Sequence, residues 1–128
     1  MHAIVNGIRL HYRVFGRTDD LPVLFIHGYP FTGEMWLPLV DLLEDQCKLI
    51  IPDLRGFGQS ELWPHLREGQ TVPLSMALFA DDLRLLLEEI GEDRPLVVVG
   101  LSMGGYIAFE LYRRFTSNVL ALVLADTR

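Results

Sequence analysis

The chain has 128 residues, half of them apolar, which is enough for one domain with a real core and no more. Its net charge of −6 is spread over mixed acidic and basic residues without a basic stripe, which argues against nucleic acid and anionic membrane surfaces as partners. Cys47 is the single cysteine, so an internal disulfide and a cysteine-based metal site are excluded, and with every apolar run broken well short of a membrane span the expectation is a cytoplasmic protein.

In chain order, residues 3–5 and 8–14 flank Asn6-Gly7, a hairpin signal because that dipeptide accepts the left-handed turn that matches strand twist. Alternation in the second strand places Ile8, Leu10, Tyr12 and Val14 on one side. Residues 23–26 form a continuous apolar run, as strands buried on both faces do, and a helix is predicted over 33–44 with Trp36, Leu39, Val40 and Leu43 inward. A third apolar run covers 49–51. A long irregular stretch, 53–74, leads to a helix that Ser75 caps and Gly91 ends, with Met76, Phe79, Leu83, Leu86, Leu87 and Ile90 facing the core. Residues 96–99, a helix over 103–115 and a strand at 119–124 complete the chain. The alternation predicts an α/β fold: one domain over 1–128, a mostly parallel sheet with an N-terminal antiparallel hairpin and helices on both faces.

The most informative segment is Gly100-Leu101-Ser102-Met103-Gly104, set between an apolar strand and an apolar helix. A serine exposed on a sharp strand-to-helix turn requires nearly bare residues two before and two after it, because strand and helix pass within contact there. Gly100 and Gly104 meet that requirement, and Gly105 extends the clearance. Ser102 is therefore the expected nucleophile. The Met103 N–H, at the positive end of the following helix, is the expected first oxyanion donor.

Together with His27-Gly28-Tyr29-Pro30, the run 53–60 (Asp-Leu-Arg-Gly-Phe-Gly-Gln-Ser) and the strand running into Asp126-Thr127-Arg128, that turn resembles the first half of an α/β-hydrolase-fold enzyme. The flavour is similar to small esterases, lactonases of the 3-oxoadipate enol-lactone type and cofactor-free haloperoxidases. The resemblance implies a serine hydrolase of carboxylic esters or lactones that needs no cofactor. It implies the Tyr29 N–H as second oxyanion donor, and His27 with Gly28 as organisers of the oxyanion loop. It also implies that the chain stops after the family's sixth strand, ahead of the lid, two further strands, the acid and the base. The expectation is then an exposed strand edge at 119–124, closed in a homo-oligomer or by a complementary C-terminal half.

The candidate base within the chain is His65, in the long loop on the functional side; the plainer reading is an exposed loop histidine. Asp126 is the candidate acid, since some relatives place it after this strand, but with no histidine to orient it a structural role is favoured. His2 and His11 are expected at the far edge of the hairpin, and no histidine pair has metal-ligand spacing. Asp53 is expected to fix the loop that follows its strand. Phe31, Trp36, Phe57 and Trp63 are candidates for an apolar acyl pocket or for plain core. The competing functional class is a catalytically weak fragment serving as a folding or assembly unit. A cofactor-binding module is excluded because no glycine-rich phosphate loop follows the first strands.

Overall fold

In the computed structural model, residues 1–63 and 74–127 are described. Asn6 and Gly7 take φ values of 47° and 76°, the left-handed pair that a tight hairpin turn requires, and join β1 (His2–Val5) to β2 (Ile8–Phe15) with Val5 opposite Ile8. β2 also pairs antiparallel with β4 (Cys47–Pro52), from Tyr12 opposite Pro52 to Phe15 opposite Leu49. β3 (Leu21–Ile26) runs parallel to β4 on one side and to β5 (Leu96–Leu101) on the other, and β6 (Val119–Ala125) is parallel to β5. The sheet order is thus β1-β2-β4-β3-β5-β6, mostly parallel with an antiparallel hairpin at one end.

Two apolar layers result. On one face, Ile8, Leu10, Leu24, Ile26, Ile50 and Val98 meet the buried sides of α2 (Met76–Glu89) and α3 (Met103–Arg114). The opposite face packs Val23, Phe25, Leu49 and Ile51 against Trp36 and Val40. α2 follows its sequence signals at both ends: the Ser75 hydroxyl accepts the Leu78 N–H at 3.1 Å, and Gly91 just past the helix has φ 77°. The predicted helix over 33–44 is different. It is a 3₁₀ segment, Gly33–Leu39, followed by one α-turn, α1 (Val40–Leu43), because Pro38 inside it has no N–H to give to a carbonyl one α-turn back.

Of the two expectations about edges, the one for the hairpin changes and the exposed strand edge at 119–124 stands where expected. The hairpin as a whole is not a far edge: only β1 lies outside, while β2 is interior, so His11 is buried. β6 occupies the other end of the sheet, and its seven residues carry no charge; Leu120, Val123 and Leu124 are exposed there. Among the described residues no helix is long and apolar enough to cross a membrane.

Candidate active site

β5 ends at Leu101 and α3 begins at Met103, leaving Ser102 alone to reverse the chain. It does so at φ 52°, ψ −113°, backbone space that a residue with a Cβ enters only under strain. The surrounding glycines make the turn sterically feasible. A Cβ on Gly100 would strike the Gly104 carbonyl, and one on Gly104 would strike the Ile26 carbonyl at the end of the neighbouring strand. The main chain of Ser102 is pinned: its N–H donates to the Ala125 carbonyl at 2.9 Å, and its carbonyl accepts the Gly105 N–H at 2.9 Å and the Thr127 hydroxyl at 3.3 Å. The side chain is exposed, and its hydroxyl has no hydrogen-bond partner among the described residues.

Strand pairing brings the second loop to this serine. Ile26 is opposite Gly100 in the β3–β5 register, so the next residues of β3's chain run beside Leu101 and Ser102. Gly28 lies so near that a Cβ on it would stand 3.3 Å from the Ser102 Cβ and 2.8 Å from the Leu101 carbonyl oxygen. Tyr29 follows at once. Its N–H and that of Met103 take no partner among the described residues, so two main-chain donors are unspent in the segments that adjoin Ser102.

His27 is fully buried and uses both ring nitrogens. Nε2 accepts the Leu54 N–H at 2.9 Å, which places the ring proton on Nδ1, where it donates to the Gly28 carbonyl at 3.1 Å. Burial holds its pKa below the ordinary value, against the opposing pull of the Gly28 carbonyl and Asp53. A neutral imidazole with both nitrogens engaged ties the β3 loop to the β4 loop. It has no lone pair left for Ser102.

The loop after β4 is organised by Asp53. One carboxylate oxygen accepts the Gly33 N–H at 2.8 Å; the other accepts the Gln59 N–H at 3.0 Å and meets His11 Nδ1 at 3.1 Å. Ser60 closes the turn by donating to the Asp53 carbonyl at 2.7 Å while accepting the His11 N–H at 2.9 Å. Within this loop Phe57 sets its ring edge-on to His27, centroids 5.3 Å apart, and to Tyr29, 6.0 Å apart. Arg55, next to it, is fully buried in a two-pronged ion pair with Asp82 of α2, both bonds 2.8 Å. Neither the His11–Asp53 contact nor the Arg55–Asp82 pair was foreseen from the sequence. A charged residue at position 82, one turn from Phe79 and Leu86 on the apolar side of α2, was the signal available for the second.

Of the aromatic candidates, Phe57 stands by the serine loop, and Phe31 and Trp63 are exposed. Trp36 is core instead: it packs on Phe25 at 5.2 Å in the layer on the opposite face, carried there by the 3₁₀ segment. Asp126 is exposed at φ 49°, directly after the carbonyl that holds the Ser102 N–H. His65 lies outside the described residues.

Residues 22–127 match the family model described as alpha/beta hydrolase fold. The chain belongs to that family. Curated members similar to it include a soluble epoxide hydrolase of Corynebacterium sp. (strain C12), 33% identical over 107 residues that are 84% of this chain and 34% of the relative. Another is the lipase LipV of Mycobacterium tuberculosis, 35% identical over 119 residues, 93% of this chain and 42% of the relative. Among solved structures, a thermophilic esterase from Thermogutta terrifontis superposes with a TM-score of 0.85 at 36% identity, covering 100% of this chain and 45% of the other. This hydrolase-fold chain therefore spans less than half the length of the relatives it matches.

Proposed function

We propose that the chain carries the nucleophile and oxyanion half of a serine hydrolase acting on carboxylic esters or lactones. The observation that carries this reading is the exposed Ser102 on its strained one-residue turn, with the Tyr29 and Met103 amides unspent in the segments that adjoin it. Ser102 Oγ attacks the acyl carbon as its proton passes to a base. The carbonyl oxygen gains the negative charge between the two amides, and the alcohol leaves with a proton. Water then cleaves the acyl-serine ester by the same route. The base is His65, a histidine of another polypeptide, or water.

Relatives named for epoxides, lipids and esters leave the substrate class open, and the chemistry of serine narrows it. Attack on an acyl carbon leaves a serine ester that water can hydrolyse. Attack on an epoxide carbon leaves a serine ether with no carbonyl for water to enter, so turnover stops. Esters and lactones are the substrates that a serine at this position releases.

A second reading, a catalytically weak unit or one piece of a split enzyme, is favoured by a specific observation. Among the described residues the buried histidines are already bound, His27 by Leu54 and Gly28, His11 by Asp53. Loss of the base removes most of a triad's power while oxyanion stabilisation leaves about 10³-fold over water. We further propose that the apolar edge of β6 is sealed by polypeptide, a second copy or a complementary half; light scattering at micromolar concentration giving a clean monomer mass contradicts that. The catalytic reading is tested with p-nitrophenyl butyrate. Release of nitrophenolate above the level of Ser102→Ala, beginning with a burst equal to the protein concentration, supports it, and identical traces from the two proteins overturn it.

A further inference from the structure

We propose that Phe57 is a positioning residue for the oxyanion donor: its ring is the prop that holds the 27–29 turn at the right distance from Ser102, and the buried Arg55–Asp82 pair holds the prop. This inference rests on the reading of Ser102 as nucleophile.

The need for a prop is visible at Tyr29. Tyr29 is 71% exposed, so the residue whose N–H serves the oxyanion has little packing of its own. Phe57 supplies edge-on contacts to both ends of the turn, to His27 at an interplanar angle of 70° and to Tyr29 at 86°. The residue between them, Gly28, lies so near Ser102 that a Cβ on it would stand 3.3 Å from the serine's own. A shift of the turn toward or away from Phe57 therefore moves the Tyr29 N–H relative to the serine.

Phe57 is itself held firmly. Its N–H donates to the Leu54 carbonyl at 2.9 Å and its carbonyl accepts the Ser60 N–H at 3.0 Å, while Gly56 and Gly58 on either side have φ of 81° and 53°. Arg55 ties the Phe57 loop to α2 through both prongs of Asp82, reaches the Leu62 carbonyl at 3.2 Å, and shares Asp82 with Asn6, whose amide donates at 2.8 Å. A buried ion pair returns little net stability, because desolvation offsets the attraction. What such a two-pronged pair supplies is a fixed geometry, here at the root of the loop that carries Phe57.

The experiment follows Ser102 labelling by a fluorophosphonate in wild type, Ser102→Ala, Phe57→Ala, Phe57→Tyr and Val40→Ala, with the Tyr29 and Met103 amide resonances recorded before and after labelling. Val40→Ala truncates the core on the opposite face of the sheet and controls for lost stability. The expected result is that Phe57→Ala labels about 10-fold to 100-fold more slowly than wild type, since complete loss of an oxyanion donor costs about 10² to 10³. Its Tyr29 amide no longer shifts on labelling while the Met103 amide still does, and Phe57→Tyr, which keeps the ring edge, stays near wild type. If Phe57→Ala does not fold, Phe57→Leu, which keeps apolar bulk without the ring, takes its place with the same expectation. Equal labelling of wild type and the Phe57 variant, or equal slowing in Val40→Ala with the Tyr29 shift retained, overturns the proposal and leaves the nucleophile reading standing. Absence of Ser102 labelling in wild type overturns both.

Discussion

Gly28 and Ser102 face each other just past neighbouring strands with no room for a side chain on Gly28, whose Cβ would lie 3.3 Å from the Ser102 Cβ and 2.8 Å from the Leu101 carbonyl oxygen. That close approach joins two loops 74 positions apart, beside the serine proposed as nucleophile. Gly28→Ala forces the loop away from the serine, so it is expected to slow fluorophosphonate labelling at least 10-fold while costing about 1–3 kcal/mol of stability, the usual penalty for overpacking. Labelling kinetics with a parallel urea titration check both numbers.

Gly104→Ala is expected to be more damaging to folding than to any chemistry. The added methyl meets the Ile26 and His27 carbonyls, which belong to backbone and cannot rotate aside. α3 must then lift off β3, which lies under its first turn. Loss of about 3 kcal/mol or more, at the upper end of overpacking costs, is the expected urea result.

Asp82→Asn leaves the Arg55 guanidinium buried without its counter-charge, and the expected loss is about 3–5 kcal/mol. The double variant Arg55→Met with Asp82→Leu removes both charges and is expected to recover most of that loss. A double variant no more stable than Asp82→Asn would show that the two side chains do not act as a unit.

Stability is expected to fall between pH 7 and pH 5. His11 and His27 both have pKa values below the ordinary 6.5, burial being the larger influence in each and outweighing the bonds to Asp53 and the Gly28 carbonyl. The unfolded chain therefore binds these protons first, so stability is whole above about pH 6.5 and is lost as the pH drops through that value toward the lower folded ones. Each histidine contributes a slope of up to about 1.4 kcal/mol per pH unit in that window. Urea midpoints at several pH values check it, and His11→Gln is expected to flatten the curve.

The parts of this molecule that were readable in the sequence are those set by local sterics. The Ser102 turn depends on bare neighbours two residues away, and the core face of α2 on helical spacing, and both stand where expected. The same is true of the Asn6-Gly7 hairpin. What was not readable depends on which strands become neighbours. His11 meets Asp53 across 42 positions and Arg55 meets Asp82 across 27, and each pair exists because β2 pairs with β4 and α2 lies under the β4 loop. No periodicity encodes such a meeting. The 33–44 segment differs for a smaller reason, a single missing N–H at Pro38 that changes the helix type, while Trp36 still faces the core as its spacing predicts. Tyr29 falls between the cases: a resemblance suggested it as a donor, and the β3–β5 register brings its loop beside the serine.

Ser102 is proposed above as a reactive nucleophile. The most direct test is intact and peptide mass spectrometry after exposure to a fluorophosphonate at neutral pH. A single adduct mapped to Ser102 and absent from Ser102→Ala is the result this account predicts. Unmodified protein, or an adduct of equal extent in Ser102→Ala, would contradict it.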